Sequence, residues 1–364
     1  MSFEQFKKEF DKESSKIEGI SLVNKAPEFF IDTGNLCLNK IISGSYTRGF
    51  AQGRWAAITG PSGAGKTFIA GNAIKAAQDA DCAILIIDTE NALDETYLSA
   101  LDVDINAPNF FYRGVKTIAQ ISEQFSMFTK LYRKHNMTDR VLVVIDSLDM
   151  ALTDSELKNY ERGEQKGDQG QQAKQLKKLL ATLVQDIKSL PFVGIATKQA
   201  YKEQDPIAAL SMPYVVTEAT KFAFSQMIMV NKLMLKSEDK SKYEGITMQA
   251  MGYKTRFTKP FQRVKIEVPY DTGMDPYTGL LEAAESVGVV TRNGGWYSYG
   301  DKKFQKSNFD SVKEDILKDL IARDDAIIDV KIDQSEFDKS GDDVSRVKKI
   351  KSKFQEDDGD TGEE

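Results

Sequence analysis

A glycine-rich segment is the part of this sequence whose residue types and spacing specify chemistry most directly. It follows the pattern G-x-x-x-x-G-K-[ST]. Glycines let a backbone loop curl around an anion, and a following helix start adds unpaired N–H groups and a positive dipole end. The segment therefore predicts a site for the phosphates of a nucleoside triphosphate. Its residues are Gly60, Pro61, Ser62, Gly63, Ala64, Gly65, Lys66 and Thr67.

Two side chains of this segment have roles of their own. Lys66 would reach the β- and γ-phosphates, and the Thr67 hydroxyl would hold Mg²⁺. The apolar run 55–59 before the segment is typical of a buried strand, and residues 68–74 after it are typical of a helix. A plain glycine-rich turn is the alternative, but the strand–loop–helix context favours a phosphate loop.

Two further apolar runs end in carboxylates, which hydrolysis of a triphosphate requires. Residues 141–145 lead to Asp146, a Walker-B arrangement in which the carboxylate holds the Mg²⁺ shell at the carboxyl edge of a sheet. Residues 84–87 lead to Asp88, and Glu90 follows where it could polarise an attacking water. The alternative for Asp146 is a strand-end cap. Asp88 could either support the neighbouring site residues through a hydrogen bond or simply be a turn residue, and the turn residue is slightly favoured.

Alternating strands and helices would position these groups. Near-continuous Val/Ile/Leu runs are typical of a mostly parallel sheet with helices on both faces, so we predict an α/β fold with a twisted, mostly parallel sheet. Helical periodicity recurs within residues 118–131 and 176–187. The predicted strands are residues 55–59, 83–87, 141–145, 192–197, 227–230 and 264–268.

The chain divides into four predicted parts. Residues 1–35 form a short helical arm and linker, in which Phe3, Phe6 and Phe10 recur at helical spacing and would pack on their own core or on a neighbouring subunit. The other parts are the core at 36–274, a small α+β domain at 275–333 and a charged, disordered tail at 334–364. Six of the nine residues from 356 to 364 are acidic.

Composition bears on the cellular location of the protein and on the kinds of partner it can bind. The apolar runs are too short to span a bilayer, and the acidic N-terminus lacks the apolar region of a signal peptide. Two cysteines among 364 residues do not form a disulfide framework. We therefore expect no membrane partner and a cytoplasmic location. The net charge of −6 does not exclude nucleic acids, because binding them needs only a local basic surface.

Beyond the phosphate loop, the chain resembles the bacterial RecA recombinases from about residue 36 to residue 299. Residues 270–281 and 293–297 look still closer to the tailed-phage branch, the UvsX recombinases. If a phage encodes the protein, as this resemblance implies, the expected location is the cytoplasm of the host cell. The stretches that carry the family resemblance, all in the family's order, are residues 87–97, 144–147, 221–222, 260–261 and 295–299.

The resemblance implies a RecA-like ATPase core that uses ATP and Mg²⁺. By this resemblance, Glu90 is the carboxylate that activates water, and Asp94 and Tyr97 contact the adenine. Gln199 matches the glutamine that senses the γ-phosphate and links it to the following DNA loop. The preceding residue, usually Asn in bacterial members, is Lys198 here.

The resemblance also implies that neighbouring subunits share each nucleotide. Lys254 and Arg256 match paired cations that reach the neighbouring subunit's nucleotide, and Tyr270 matches an aromatic residue that packs on the neighbour's adenine. A cation already held at the γ-phosphate stabilises the charge that develops during hydrolysis. Hydrolysis would then require assembly.

Two polar stretches, 161–171 and 201–217, fall where the family has its two DNA-binding loops. Lysines and helix-start N–H groups suit phosphate contact, and apolar side chains can wedge between bases. Plain surface loops are the alternative. The candidate DNA-binding residues are Gly167, Gln169, Gln171, Lys174, Lys177, Lys202 and Lys221.

These features predict a DNA-dependent ATPase that forms helical filaments on single-stranded DNA and pairs that strand with homologous duplex in recombination and repair. Single-strand-binding and loader proteins would be its partners. Two alternatives are a ring-forming helicase motor with the same core and a non-catalytic recombination mediator. A helicase would lack the small domain with residues 295–297, and the presence of Lys66, Glu90 and Asp146 argues against a mediator.

Deleting residues 356–364 should strengthen DNA binding or lower the Mg²⁺ requirement, because the deletion removes a polyanion that competes with DNA. Affinity for single-stranded oligonucleotides across a salt series measures this effect. Equal affinities of the full and shortened chains at every salt concentration would contradict it.

Overall fold

The structure is a computed structural model that describes residues 1–17, 26–164, 170–205, 214–236, 242–323 and 328. Several predictions lie outside these residues: Gly167 and Gln169 in the first loop, residues 206–213 of the second loop, and the tail at 334–364. Among the described residues, no helix has the length and apolar character needed to cross a membrane.

Fifteen strands and ten α-helices make up the described chain. The strands are β1 (Phe30–Ile31), β2 (Phe50–Ala51), β3 (Arg54–Gly60), β4 (Ala83–Asp88), β5 (Phe110–Gly114), β6 (Val141–Asp146), β7 (Phe192–Gln199), β8 (Tyr201–Lys202), β9 (Tyr214–Val215), β10 (Gln226–Lys236), β11 (Tyr243–Lys254), β12 (Arg263–Pro269), β13 (Thr291–Asn293), β14 (Trp296–Tyr299) and β15 (Lys302–Phe304). The helices are α1 (Phe3–Ser14), α2 (Leu36–Ser43), α3 (Lys66–Asp79), α4 (Glu95–Ala100), α5 (Ile118–Lys134), α6 (Asp154–Glu161), α7 (Gln171–Ile187), α8 (Glu218–Ala223), α9 (Leu280–Ser286) and α10 (Lys313–Ala322), with a 3₁₀ turn at Lys306–Ser311.

The centre of the fold is an eight-stranded sheet in the order β12-β11-β10-β3-β7-β6-β4-β5. The strands from β10 to β5 pair in parallel, and β11 and β12 extend the sheet in antiparallel fashion. The inner strands are buried on both faces, which is why their sequences are nearly continuous apolar runs. The prediction of an α/β fold with a mostly parallel sheet is confirmed.

Two strands of this sheet were not predicted, and one is longer than predicted. β5 is an edge strand with half-buried and exposed residues, so it lacks a long apolar run. β11 carries polar residues and two glycines among its twelve residues. β10 continues beyond the predicted end at residue 230 to Lys236, because β11 pairs with it along almost its whole length.

Helices cover both faces of the sheet and form two apolar cores. On one face Ile69 and Ile74 of α3 belong to the same buried core as Ile58 of β3. On the other face α5 and α7 bury Phe125 and Leu183 around Trp55. The sheet therefore holds β3 and the start of α3 rigidly between two packed layers.

The segment before α2 and the region after residue 275 are joined by one buried side chain. Asn35 caps α2 through its Oδ1, which accepts from the amides of Cys37 and Leu38, while its Nδ2 donates to the carbonyl of Thr278 at 2.9 Å. Residues 30 and 31, within the predicted linker, form β1 and pair with β2, and Ile31 is buried. The predicted domain boundaries stay predictions.

The C-terminal part contains the small antiparallel sheet β13-β14-β15 with α9 and α10. Leu281 of α9 and Ile316 of α10 are buried in the same apolar core as α3. At the other end of the chain, α1 exposes Phe3, Phe6 and Phe10 with exposed fractions of 91, 54 and 62%. The predicted N-terminal helix thus leaves its aromatic stripe uncovered by the described chain.

Parallel strands give the sheet two distinct edges, named here the carboxyl edge and the amino edge after the ends of β3. Gly60 ends β3 at the carboxyl edge, and Arg54 begins it at the amino edge. β12 runs in the same direction as β3, because two antiparallel pairings separate it from β10. Groups at the end of β12 therefore share the carboxyl edge with the phosphate loop.

Candidate nucleotide site

The glycine-rich segment joins the carboxyl end of β3 to the start of α3, as predicted. Gly63 and Gly65 have φ values of 67° and 94°, a left-handed conformation that glycine adopts without steric cost. A Cβ atom on Gly65 would also lie 2.5 Å from Sδ of Met248. Gly65 gives α3 no side-chain cap, so the first N–H groups of the helix stay available to an anion.

The Lys66 ammonium group lies over this loop. Its Nζ donates to the carbonyls of Gly60 at 3.2 Å and Pro61 at 3.0 Å. Burial lowers the pKa of Lys66, whereas the negative charges of Glu90 and Asp146 oppose that shift. The lysine is thus held at the phosphate loop with two carboxylates nearby.

Asp146 ends β6 at the same edge and is 1% exposed. Its Oδ1 accepts a hydrogen bond from the Thr197 hydroxyl, whereas its Oδ2 is buried without a hydrogen-bond partner among the described residues. Burial raises the pKa of Asp146, and the hydroxyls of Thr197 and Thr67 oppose the shift. An unpartnered carboxylate oxygen beside Thr67 fits a Mg²⁺ ion, which takes one or two protein oxygens together with phosphates and water.

Glu90 is exposed at the carboxyl edge and is tied to the end of β6. Its Oε1 accepts a hydrogen bond from the Ser147 hydroxyl. The preceding residue, Thr89, also contacts Ser147, because its hydroxyl donates to the Ser147 carbonyl at 2.8 Å. The carboxylate is therefore oriented by the loop that follows the metal-binding candidate Asp146.

Asp88 organises the turn that presents Glu90. Its Oδ1 accepts from the backbone amides of Glu90 at 2.9 Å and Asn91 at 2.7 Å, and its Oδ2 accepts from the amide of Leu93 at 3.1 Å. The Tyr112 hydroxyl donates to Oδ2 at 3.1 Å. Of the two alternatives for Asp88, the structure supports the turn residue.

Asp149, which the sequence did not single out, connects the loop after β6 to the end of β7. It pairs with the ammonium group of Lys198, which is only 5% exposed, and its Oδ2 accepts from the Gln199 amide at 2.6 Å. Lys198 thus has a carboxylate partner, and the exposed Gln199 side chain starts from a fixed backbone. Nothing in the local sequence signals this contact, because 49 residues separate the two charges.

The adenine-binding candidates lie beside α3. Asp94 caps α4 by accepting from the Tyr97 amide at 2.8 Å. The Tyr97 ring lies against Gly71 of α3, and its hydroxyl is buried without a hydrogen-bond partner among the described residues, so burial raises its pKa. Tyr270 is 62% exposed just past β12, at the same edge as the phosphate loop of its own subunit.

The candidate cations Lys254 and Arg256 lie at the opposite, amino edge. Lys254 ends β11 opposite Met227, and Arg256 follows close enough to Arg54 for its charge to lower the pKa of Arg54, after the larger effect of burial. β3 has seven residues, which separates its two ends by about 20 Å. Neither cation can therefore reach the phosphate loop of its own subunit.

Lys221 is found with these cations rather than with the DNA-loop candidates. Its carbonyl accepts from the Lys254 ammonium group, and its own ammonium group pairs with Glu218 at 2.7 Å. The reason is that α8 leads directly into β10 at the amino edge, where the Ser225 amide donates to the carbonyl of Trp55. Its assignment to DNA binding stays a prediction that this contact does not favour.

The remaining DNA-binding candidates among the described residues lie at the carboxyl edge. Gln171, Lys174 and Lys177 are exposed on the first turns of α7, and the start of that helix touches the loop after β6 through a hydrogen bond from Gln172 to the carbonyl of Ala151. Lys202 is exposed in β8, three residues beyond Gln199. The start of α7, at the end of the first loop, and β8, at the start of the second loop, therefore lie next to the nucleotide-binding candidates.

An apolar groove of about 400 Å³ lies at the far end of the sheet, between edge strand β5 and α5. Phe111 and Phe128 lie in it, and Met127 and Leu131 border it with exposed fractions of 46 and 49%. The groove is thus an exposed apolar surface beside an unpaired strand edge of the described sheet.

The model of the RecA N-terminal domain family matches residues 1–275. The chain is 30% identical over 287 residues to a protein RecA of Crocosphaera subtropica, which covers 78% of this chain and 77% of the relative. It is 26% identical over 331 residues to a protein RecA of Mycoplasma mobile, with 89% and 91% coverage. With a protein RecA of Treponema denticola, at 27% identity, the match spans 78% of this chain and 65% of the relative.

Replacing Asp149 by Ala should lower the free energy of unfolding by about 3 kcal/mol, because it leaves a buried ammonium group without its carboxylate. The double variant Asp149→Ala/Lys198→Met removes both charges and should recover most of that loss. Equilibrium unfolding in urea measures both. A single variant as stable as the parent would show that the Lys198 charge does not depend on Asp149.

Proposed function

The chain belongs to the RecA family, and on that basis we propose that it is an ATP-hydrolysing recombinase that assembles on single-stranded DNA and pairs it with homologous duplex. One observation carries the proposal: the phosphate loop, Asp146 and Glu90 meet at one edge of the sheet, whereas Lys254 and Arg256 lie at the other. Such a chain holds a nucleotide alone but completes the site only with a second copy.

Hydrolysis follows from the geometry of the carboxyl edge. Lys66 and the N–H groups of the loop bind the phosphates, while Thr67 and Asp146 would hold a Mg²⁺ ion, which would supply positive charge to shield the phosphates. Glu90 accepts a proton from the attacking water as the oxygen bonds to the γ-phosphorus. The bond between that phosphorus and its bridging oxygen breaks, and ADP and inorganic phosphate leave.

The amino-edge cations serve the neighbouring subunit. Lys254 and Arg256 approach the γ-phosphate held by the next copy, where fixed positive charge stabilises the transition state. Tyr270 differs from these two residues, because it lies at the edge of its own phosphate loop. We propose that Tyr270 and Tyr97 border the base in the subunit that binds the nucleotide.

DNA binding uses the loops at the carboxyl edge. Gln199 leaves β7 at the nucleotide and leads within three residues to Lys202, so a change at the γ-phosphate is passed directly to the second loop. Lys174 and Lys177 supply phosphate contacts from α7, together with Gly167 and Gln169 of the first loop. Residues 270–281 and 293–297 lead us to propose membership in the UvsX branch.

The N-terminal helix is proposed to link successive subunits. Its three exposed phenylalanines need an apolar surface, and the groove beside β5 offers one of suitable character. Seating α1 of one copy in that groove covers both apolar surfaces at once. Because the two surfaces differ, the contact is head-to-tail, and repeating it builds a filament when the rotation between subunits does not close into a ring.

Strand exchange between circular single-stranded and linear duplex DNA tests this function directly. The proposal predicts joint molecules and exchanged products with ATP, and helical filaments by electron microscopy with ATP and single-stranded DNA. Closed rings that translocate with defined polarity would favour a helicase motor. Absence of ATP turnover at saturating DNA would favour a mediator.

Glu90→Gln should lower the rate of DNA-stimulated ATP hydrolysis by about a hundredfold or more, because the water loses its proton acceptor. Binding of ATP and DNA should persist, which gives a long-lived filament. Glu95→Gln, at an exposed position on α4, is the matched control and should hydrolyse ATP normally. Hydrolysis by Glu90→Gln at the parent rate would remove Glu90 from the mechanism.

Phe6→Ala/Phe10→Ala should raise the protein concentration needed for filament formation by about tenfold or more, since each ring loses apolar burial worth roughly 1.5–3 kcal/mol. Leu131→Asp in the groove should have the same effect, whereas Lys8→Ala on the polar face of α1 should not. Light scattering with ATP and single-stranded DNA measures assembly. Normal assembly by both the helix and the groove variants would show that subunits join elsewhere.

A further inference from the structure

The phosphate loop has a cover that the sequence did not predict. The β10–β11 hairpin extends past the end of β3 and places side chains over the loop. Met248 pairs directly with Lys232 across the two strands, and its Sδ lies 2.5 Å from the position of a Cβ on Gly65. The Met248 sulfur atom therefore lies close to the backbone of Gly65 on one side of the loop.

Lys232 occupies the neighbouring position over the same loop. Its Nζ lies 2.6 Å, and its Cε 3.7 Å, from the position of a Cβ on Gly63. Its side chain points to the α3 face because it lies two residues from Val230, which packs against Gly60 on that face. A second ammonium group is therefore held at the phosphate loop, beside that of Lys66.

Other lysines near the site have a protein partner, and Lys232 differs from them. Lys198 pairs with Asp149, and Lys66 donates to two loop carbonyls. Within the part of the chain that the structure describes, no carboxylate pairs with Lys232 and no acceptor takes a hydrogen bond from its Nζ. Its ammonium group instead lies at the same loop whose carbonyls accept hydrogen bonds from Lys66.

Two like charges at one loop are stable together when an anion lies between or beside them. The anion that the loop is built for is the phosphate chain of a nucleotide. We propose that Lys232 is a further phosphate-binding residue of the nucleotide site, contributed by the same subunit as the phosphate loop. This inference rests on the proposed function.

Lys232 would then couple the nucleotide to the sheet. It lies six residues beyond the start of β10, the strand that begins beside the amino-edge cations and ends over the phosphate loop. Because β10 also pairs with β11, which ends at Lys254, phosphate contact at one end acts on the strands that carry the cations offered to the neighbour. Nucleotide binding would thereby help to order both halves of the shared site.

Fluorescent N-methylanthraniloyl ATP and ADP, titrated into the full chain with Mg²⁺ and without DNA, test the proposal. Lys232→Met keeps the apolar stem and removes the charge, and it should weaken binding of both nucleotides by about tenfold, as loss of a charge-assisted hydrogen bond does. Lys232→Arg should restore most of the affinity. Lys75→Met is the control, because it removes an equal charge at the far end of α3, where Lys75 pairs with Asp79.

The salt dependence adds a second readout. The parent chain should lose nucleotide affinity more steeply with increasing salt than Lys232→Met, because the variant has one ionic contact fewer. Unchanged affinity and slope in Lys232→Met, with normal binding by the parent, would overturn the role of Lys232 alone. Weakened binding of single-stranded DNA together with unchanged nucleotide affinity would also overturn it. Failure of the parent chain to bind either nucleotide would instead overturn the proposed function.

Discussion

The distance between the two edges of the central sheet is the constraint on which the proposed mechanism depends. A parallel strand presents its carboxyl end to one side of a sheet and its amino end to the other, and seven residues of β3 place these ends about 20 Å apart. The phosphate loop follows one end, and Arg256 lies near the other. Because side chains cannot bridge that distance, Lys254 and Arg256 can contact only a nucleotide that another subunit binds.

Neighbouring strands of the sheet place carboxylates with different roles at the carboxyl edge. β6 ends in Asp146, with one buried oxygen free of any described partner, and β4 ends in Asp88, whose oxygens are all engaged by the turn that presents Glu90. The two carboxylates are adjacent in the sheet, since Asp88 pairs in register with Asp146. Their hydrogen bonds therefore distinguish Asp146, a candidate metal ligand, from Asp88, which stabilises a turn.

Charge placement also distinguishes lysines that look alike in the sequence. Lys198 is buried and paired, Lys221 is paired at the amino edge, and Lys232 lies over the phosphate loop without a described carboxylate. The pair between Asp149 and Lys198 fixes the backbone from which Gln199 extends, while the β10–β11 hairpin fixes Lys232. Each of these contacts joins residues that are distant in sequence.

The sequence predicted those parts of the fold that depend on residues close together along the chain. Glycine spacing located the loop around Gly63 and Gly65, and fully buried runs such as β6 identified the inner strands. β5 and β11 escaped prediction because their stability comes from pairing and not from continuous apolar residues. The roles suggested for Asp149, Lys232 and Tyr270 needed the sheet topology, because no short-range pattern places them at the carboxyl edge.

Mixing two inactive variants tests the shared site most directly. Lys66→Ala removes the phosphate-loop cation and Arg256→Ala removes the cation offered to the neighbour, so each variant alone should hydrolyse ATP poorly with single-stranded DNA. In an equal mixture, half of the phosphate loops are intact and half of their neighbours carry Arg256, so DNA-stimulated hydrolysis should recover to about a quarter of the parent rate. Full activity of Arg256→Ala by itself, or no recovery in filaments shown to contain both variants, would contradict a nucleotide shared between two subunits.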